Sequence, residues 1–304
     1  MISVVIPTYN RGHVIRKSIE SVLNQSFDDI EVIVVDDGST DDTKLVVHNI
    51  NDDRVRYIYQ QNAGACAARN TGIDCAGGDY IAFQDSDDIW HSDKLERQYQ
   101  RITSVDADVV FCKLNKVFED GSSRKMGSQL KEGFIPVYSD FRGVGTQTIL
   151  AKKKVFSLAK FDVNMPRLQD LDLLLRLSEQ SKIYCMDDAL VDYYTQNDSI
   201  SKRTDLLYQA CSRIYEKYDE KPLGVQQALS QLLSSEAIKL YKSGDRTEYK
   251  VCIRKSLWYG RDLKSLFKIM DAILRIYQFS RNGLHLKAAA DGKLRYSKLK
   301  RNDK

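Results

Sequence analysis

Three carboxylates stand together where a short apolar stretch ends, in the sequence Ile-Ala-Phe-Gln-Asp-Ser-Asp-Asp at residues 81–88. Side chains two residues apart on an extended backbone point to the same side, so Asp85 and Asp87 can present their oxygens to one point. Oxygen-only sites of this kind hold Mg²⁺ or Mn²⁺, and substrate phosphates complete the coordination. The sequence therefore predicts a divalent-cation site on Asp87 and Asp85. The alternative is a solvated acidic turn that precedes a helix beginning near residue 92.

Two further acidic clusters follow apolar stretches, and the elements between them predict how all three are positioned. Buried-strand patterns at 3–6, 31–35 and 55–59 alternate with helical patterns, and a fourth strand leads into the acidic stretch at 85–88. This alternation is typical of a mostly parallel central sheet with helices on both faces. Ligands of such sheets bind beyond the carboxyl ends of the strands, where Tyr9, Asp37 and Asp87 are expected to meet.

Nucleotide-binding proteins of other classes fit the sequence less well. No Gly-x-Gly-x-x-Gly follows the first strand, and no Gly-x-x-x-x-Gly-Lys-Ser/Thr occurs in the chain. A dinucleotide-dependent dehydrogenase and a P-loop nucleoside triphosphatase are therefore disfavoured. A nucleotidyltransferase, which also joins a parallel sheet to paired carboxylates, is a more distant alternative.

An ordered set of motifs resembles the family 2 glycosyltransferases. The set comprises Val-Ile-Pro-Thr-Tyr-Asn-Arg at 5–11, Val-Val-Asp-Asp-Gly-Ser-Thr-Asp at 34–41, Asn-Ala-Gly at 62–64, Ala-Arg-Asn-Thr-Gly at 68–72 and Asp-Ser-Asp at 85–87. The resemblance covers roughly residues 1–200. It implies the GT-A fold, a UDP-sugar donor, inversion at the transferred sugar, and Mn²⁺ or Mg²⁺ bound by the Asp-x-Asp element.

The resemblance also implies residue roles. Tyr9 matches the residue that stacks on the uracil ring, and Asp37 matches the carboxylate that accepts the uracil N3 proton. Arg69 matches a uridine or phosphate contact, and Asp36 is expected to support the turn or the ribose. The nucleotide-sugar site predicted in this way consists of Pro7, Thr8, Tyr9, Asp36, Asp37, Arg69, Asp85 and Ser86.

Asp170 matches the general base of the family. It follows Gln169, which replaces the Glu that is common in the family, and it precedes a strongly apolar helix. Without the resemblance, Asp170 would be read as favourable charge at a helix N-terminus. The segment 193–201 matches the end of the family's catalytic core but lacks the Arg and His that many relatives carry there. No metal ligand is therefore predicted from it, and the third ligand stays open.

Two regions are expected from the pattern of elements. Residues 1–203 form the catalytic domain, with a nucleotide-sugar-binding half at 1–90 and an acceptor-side half at 91–203. Residues 204–304 form a helical C-terminal region with a basic tail. In the last predicted helix, at 262–280, apolar side chains form one stripe that suits either packing or a membrane interface.

Charge and composition bear on location and partners. Residues 261–304 contain twelve Lys and Arg against four Asp and Glu, whereas the preceding residues are slightly acidic. Such a tail can attract an anionic membrane, and no nucleic-acid partner is expected. The six cysteines form no Cys-x-x-Cys pair, no signal peptide is recognised, and no stretch is apolar enough to span a membrane. The expectation is a cytoplasmic protein, with peripheral contact on the inner face of the plasma membrane as an open alternative.

The predicted function is non-processive transfer of one sugar from a UDP-sugar to a lipid-linked or oligosaccharide acceptor during cell-surface polysaccharide synthesis. The absence of a Gln-x-x-Arg-Trp motif and of spanning segments favours single transfers over processive synthesis. The alternative is a non-catalytic binding or assembly protein on a degenerate glycosyltransferase fold. The sequence leaves open the donor sugar, the acceptor and linkage, and the oligomeric state.

Overall fold

The computed structural model describes residues 1–118, 120–126, 130–139, 141–194, 203–218 and 223–260. The chain divides into two compact units, residues 1–225 and 226–304. The helix at 204–217 lies within the first unit, so this division falls later in the chain than the expected domain boundary at 203. The predicted helix at 262–280 and the basic tail lie outside the described residues.

Ten strands form one sheet in the described part of the first unit, in the order β3-β2-β1-β4-β9-β6-β10-β5 with β7 beside β6 and β8 beside β10. Strands β3, β2, β1 and β4 are parallel, as expected, and β9 is antiparallel to both β4 and β6. The strands are β1 (Ile2–Thr8), β2 (Ile30–Asp36), β3 (Val55–Tyr59), β4 (Tyr80–Phe83), β5 (Ile89–Trp90), β6 (Val109–Val117), β7 (Ser123–Met126), β8 (Gly133–Phe134), β9 (Ile149–Lys152) and β10 (Ile183–Tyr194).

Helices connect the parallel strands, which is the crossover arrangement that parallel pairing requires. The helices of the first unit are α1 (Ile15–Leu23), α2 (Thr43–His48), α3 (Ala65–Cys75), α4 (Lys94–Ser104), α5 (Gln169–Ser178) and α6 (Thr204–Lys217). Helix α7 (Leu223–Ser243) begins in the first unit and continues into the second, and α8 (Arg246–Gly260) belongs to the second.

The core explains why the first two strands carry unbroken apolar sequences. All seven residues of β1 are buried, because helices cover both faces of the parallel sheet. Helix α3 packs closely on this strand at Gly72, where an added Cβ would come within 2.3 Å of Val5 Cγ1. A larger residue at 72 would push α3 away from the sheet and displace Arg69, which lies one turn earlier on the same helix.

In the second unit, α7 and α8 are joined by serine hydroxyls. Ser256 Oγ donates to the carbonyl oxygen of Ser230 at 2.7 Å and lies 2.7 Å from Ser234 Oγ. Within the described residues, no helix is both long enough and apolar enough to cross a membrane.

Candidate functional site

The carboxyl ends of β1, β2 and β4 surround a cleft of about 170 Å³. These strands are neighbours and parallel, so the loops that follow them leave the same edge of the sheet. The cleft is lined by Pro7, Thr8, Tyr9, Arg11, Asp37, Ala65, Ala68, Arg69, Asp85, Ser86 and Asp87. Seven of the eight residues predicted for the nucleotide-sugar site line it, together with the predicted metal ligand Asp87.

The predicted base Asp170 is not among the residues that line the cleft. Asp36 is the other predicted site residue that does not line it. Its side chain is 1% exposed, and both carboxylate oxygens are used within the protein. Ser39 N donates to Oδ1 at 2.8 Å, and the Tyr57 hydroxyl donates to Oδ2 at 2.6 Å. Burial and this hydrogen bond to Asp36 raise the pKa of the Tyr57 hydroxyl. Asp36 therefore supports the turn after β2, one of its two predicted roles.

Asp37 lies at the wall of the cleft and is held by three donors. Gln60 Nε2 donates to Oδ1 at 2.6 Å, and the backbone N–H of Ala63 donates to the same oxygen at 2.9 Å. The backbone N–H of Gly64 donates to Oδ2 at 2.8 Å. The next residue, Gly38, has φ +85°, a backbone conformation that glycine adopts without steric cost. These contacts fix the carboxylate in one orientation.

Tyr9 is 48% exposed at the mouth of the cleft, directly after β1. Its neighbour Asn10 has φ 52° and ties this loop to the loop after β2. Asn10 N donates to Ser39 Oγ at 2.8 Å, and Thr40 N donates to Asn10 Oδ1 at 2.8 Å. The ring of Tyr9 is thus held on a fixed loop with much of its surface open, the condition for stacking on a base.

Arg69 connects the acidic loop to the helix that carries the predicted base. Its guanidinium is 6% exposed and donates to Asp85 Oδ1 at 2.8 Å and to Gln169 Oε1 at 2.9 Å. It also lies over the ring of Phe161, 5.4 Å from the centroid. The Arg69 side chain therefore fixes the position of Asp85, in the acidic loop, relative to Gln169, at the start of α5.

The three Asp side chains of the acidic loop, Asp85, Asp87 and Asp88, differ in environment. Asp85 and Asp87 line the cleft, whereas Asp88 is fully buried and does not line it. Gln147 Nε2 donates to Asp88 Oδ2 at 2.8 Å, and Tyr194 N donates to Oδ1 at 3.1 Å. Desolvation, followed by the charges of Asp85 and Asp87, raises the pKa of Asp88 well above its ordinary value. Residues 85–88 form a turn in which Asp88 N donates to the carbonyl oxygen of Asp85 at 3.3 Å, so strand alternation does not apply to them and the sequence gives no signal for the burial of Asp88.

Asp170 lies in the first turn of α5, where the sequence places it. The preceding Leu168 adopts a left-handed conformation, φ 61°, at the start of the helix. Leu171 N donates to Asp170 Oδ1 at 2.8 Å. Burial raises the pKa of Asp170 to about 6, opposed by the hydrogen bond from Leu171 and by the charge of Arg69. A carboxyl that is largely ionised at neutral pH yet basic enough to take a proton has the properties of a general base.

Asp172 has a structural environment, although it lies only two residues further along α5. Its side chain is fully buried, and Arg176 donates to Oδ2 from Nη2 at 2.7 Å. Lys217 Nζ, on α6, donates to Oδ1 at 2.8 Å. Both oxygens are therefore occupied by cations, so Asp172 joins α5 to α6.

The acidic loop carries carboxylate oxygens, the type of ligand that hard divalent cations prefer. Asp85 and Asp87 supply carboxylate oxygens at the cleft, and their negative charge is concentrated enough to raise the pKa of neighbouring Asp88. Among the described residues, no group of three or more His, Cys, Asp or Glu could hold a metal ion by itself. Asp87 and Asp85 could supply only part of a cation's coordination, so the metal site stays a prediction that needs donor phosphates and water as further ligands.

Comparisons with known proteins agree with this arrangement. Residues 3–162 match the family described as Glycosyl transferase family 2. The chain is 31% identical over 232 residues to "Putative teichuronic acid biosynthesis glycosyltransferase TuaG" of Bacillus subtilis, covering 71% of this chain and 90% of that protein. It is 44% identical over 99 residues to "UDP-Glc:alpha-D-GlcNAc-diphosphoundecaprenol beta-1,3-glucosyltransferase WfgD" of Escherichia coli, covering 32% and 39% of the two chains.

Among solved structures, TarS residues 1–349 of S. aureus in complex with UDP-GlcNAc superposes with a TM-score of 0.63 at 20% identity. The match covers 84% of this chain and 79% of TarS 1–349. At this identity the likeness concerns the fold, and it confirms the predicted GT-A architecture. The chain belongs to the family 2 glycosyltransferases.

Proposed function

We propose that this chain is an inverting, non-processive, metal-dependent glycosyltransferase that moves one sugar from a UDP-sugar to a saccharide acceptor. The observation that carries the proposal is the bridge made by Arg69. One guanidinium holds Asp85, in the loop assigned to metal and diphosphate, and Gln169, next to the assigned base Asp170. The groups assigned to the sugar donor and the helix that carries the assigned general base are thereby held at a fixed distance and orientation, which a transfer reaction needs.

The uridine of the donor would bind between Tyr9 and Asp37. Tyr9 offers an exposed aromatic face for stacking, and Asp37 offers a carboxylate fixed at the cleft wall. A carboxylate pairs with a ring nitrogen that carries a hydrogen, as N3 of uracil does, and repels the bare N3 of cytosine. Pro7, Thr8 and Ser86, also predicted for this site, line the same cleft.

Asp87, with Asp85, would hold Mn²⁺ or Mg²⁺ against the donor diphosphate. When bound, the cation would neutralise the negative charge that develops on the departing UDP. The protein's part is to hold Asp85 in place. Arg69 holds the side chain of Asp85, while Ser18 Oγ donates to the backbone carbonyl oxygen of Asp85 at 2.9 Å.

Asp170 would remove the proton of the acceptor hydroxyl as the hydroxyl oxygen attacks the anomeric carbon. The new bond forms on the face opposite the departing diphosphate, so the configuration inverts in one step. The pKa of Asp170, about 6, leaves this carboxylate mostly ionised at neutral pH and makes it more basic than an ordinary Asp. The proton of the acceptor hydroxyl would therefore be transferred to a carboxylate whose pKa is higher than that of an ordinary Asp.

For the acceptor, we propose a lipid-linked or oligosaccharide chain in cell-surface polysaccharide synthesis. The support comes from relatives, because the names of two of them mention teichuronic acid biosynthesis and a diphosphoundecaprenol-linked acceptor. Such an acceptor is consistent with a cytoplasmic enzyme that contacts the inner membrane face peripherally through residues 261–304. That contact is a proposal resting on the charge of the tail.

A panel of UDP-sugars incubated with the intact protein and Mn²⁺ or Mg²⁺ tests this function. We expect one UDP-sugar to be slowly hydrolysed without acceptor, and the hydrolysis to stop when EDTA removes the cation. Hydrolysis that continues undiminished in EDTA would contradict the metal assignment. Binding of UDP with no turnover of any UDP-sugar, even with lipid-linked acceptors, would instead support a non-catalytic binding protein.

A further inference from the structure

The hydrogen bonds around Asp37 distinguish its two carboxylate oxygens. Oδ1 receives two donors, Gln60 Nε2 at 2.6 Å and Ala63 N at 2.9 Å, whereas Oδ2 receives Gly64 N at 2.8 Å. A carboxylate oxygen accepts about two hydrogen bonds in the carboxylate plane. Oδ1 is therefore saturated by the protein, and Oδ2 retains capacity for one further donor from a ligand in the cleft.

The orientation of the Gln60 side chain is itself fixed. Thr71 Oγ1, on α3, donates to Gln60 Oε1 at 2.7 Å. The Asp37 carboxylate can only accept, so the amide nitrogen of Gln60 faces it and the amide oxygen accepts from the Thr71 hydroxyl. A reversed amide would place Oε1 against Oδ1 and bring two acceptors together without a hydrogen, which is unfavourable in a partly buried site.

We propose that Gln60, oriented by Thr71, is a positioning residue for base recognition: it saturates Asp37 Oδ1 and leaves Oδ2 as the acceptor for the N3–H of uracil. The inference rests on the proposed use of a uridine donor. Gln60 is absent from the residues that line the cleft, so it acts through Asp37. Thr71 on α3 donates to Gln60, and Gln60 donates to Asp37 Oδ1. Two hydrogen bonds thus connect α3 to the carboxylate that would accept from uracil.

The consequence concerns discrimination between bases. With Oδ1 filled by Gln60 and Ala63, only Oδ2 is left to accept a hydrogen from the base, and neither oxygen can donate to the bare N3 of cytosine. Without Gln60, Ala63 N still holds Oδ1 and Gly64 N still holds Oδ2, but Oδ1 regains capacity for one further donor, which the N4 amino group of cytosine can fill. Loss of Gln60 should therefore weaken UDP binding more than CDP binding.

The test compares the Kd of UDP and of CDP by calorimetry with the intact protein. Wild type is measured first, and a Kd ratio near one would reject the uridine assignment itself, before any variant is made. If wild type prefers UDP, Gln60→Leu should reduce the ratio of Kd(CDP) to Kd(UDP) by about tenfold, the usual worth of a hydrogen bond to a charged group.

Thr71 provides the matched pair of variants. Thr71→Ser keeps the hydroxyl and should keep the wild-type ratio, whereas Thr71→Val removes the donor to Gln60 Oε1 and should lower the ratio as Gln60→Leu does. A merely structural role would weaken both nucleotides equally and leave the ratio unchanged in Gln60→Leu, and that result would overturn the proposal. Equal ratios in Thr71→Ser and Thr71→Val would overturn the part assigned to Thr71.

Discussion

The substitution Asp170→Asn should stabilise the protein at neutral pH while it removes activity. The folded protein raises the pKa of Asp170 from 3.8 to about 6, chiefly by burial. Ionised Asp170 is therefore less favourable in the folded chain than in the unfolded chain. A difference of about two pH units corresponds to an upper bound of about 3 kcal/mol. The side chain of Asp170 is only half-buried, so solvent screening reduces the expected gain to about 1–2 kcal/mol.

The sign of this effect fixes its pH dependence. Below pH 3.8 the carboxyl is protonated in both states and costs nothing. Between pH 3.8 and 6 the folded state binds more protons than the unfolded state, so stability falls as pH rises, and above pH 6 the full cost is present. Asn is neutral at every pH. The stabilising effect of Asp170→Asn should therefore be small near pH 4.5 and larger at pH 7.5.

Urea denaturation of wild type and variant at the two pH values measures this difference. Asp172→Asn is the matched control on the same helix, because Asp172 is fully buried between Arg176 and Lys217. Removing one partner of a buried ion pair costs about 3–5 kcal/mol, so the control should be destabilised at both pH values. An Asp170→Asn variant that is less stable than wild type at pH 7.5, or equally stabilised at both pH values, would refute the reasoning.

Other predictions concern rate, Arg69 and the tail. The acid limb of kcat/KM should have an apparent pKa near 6, with about a tenfold fall per pH unit below it, and a limb near pH 4 would point to another base. Arg69→Met should move this limb to higher pH, because the guanidinium lowers the pKa of Asp170, and an unmoved limb would contradict that coupling. The intact chain should sediment with acidic liposomes and be released by salt, each basic residue of 261–304 near the surface contributing about 1 kcal/mol, whereas equal binding to neutral liposomes would contradict the electrostatic contact.

The parallel part of the fold was predictable because its strands are buried on both faces. Unbroken Val and Ile sequences in β1 and β2, with helical periodicity between them, leave few other arrangements. The convergence of Tyr9, Asp37 and Asp87 followed from topology alone, since neighbouring parallel strands end at one edge. The GT-A expectation that came with the motif resemblance is confirmed by the structural match to TarS.

Partners distant in sequence account for what could not be predicted. The burial of Asp88 depends on Gln147 and on the backbone of Tyr194, which lie 59 and 106 residues away. The bridge from Arg69 to Gln169 spans 100 residues, so its geometry appears only when α3 and α5 are packed. The roles of individual site residues remain predictions, because hydrogen bonds show where a side chain is held and chemistry must be measured.

The difference between Asp170 and Asp87 tests the central claim most directly. Transfer from the UDP-sugar to the acceptor and metal-dependent UDP binding should be measured side by side for Asp170→Asn and Asp87→Asn. We expect Asp170→Asn to reduce transfer by about 10²- to 10⁴-fold, the worth of a general base, while UDP binding stays near that of wild type. Asp87→Asn should impair both, because its carboxylate would share the cation with the diphosphate. Near-full transfer by Asp170→Asn with an inverted product would contradict the account and place the base elsewhere.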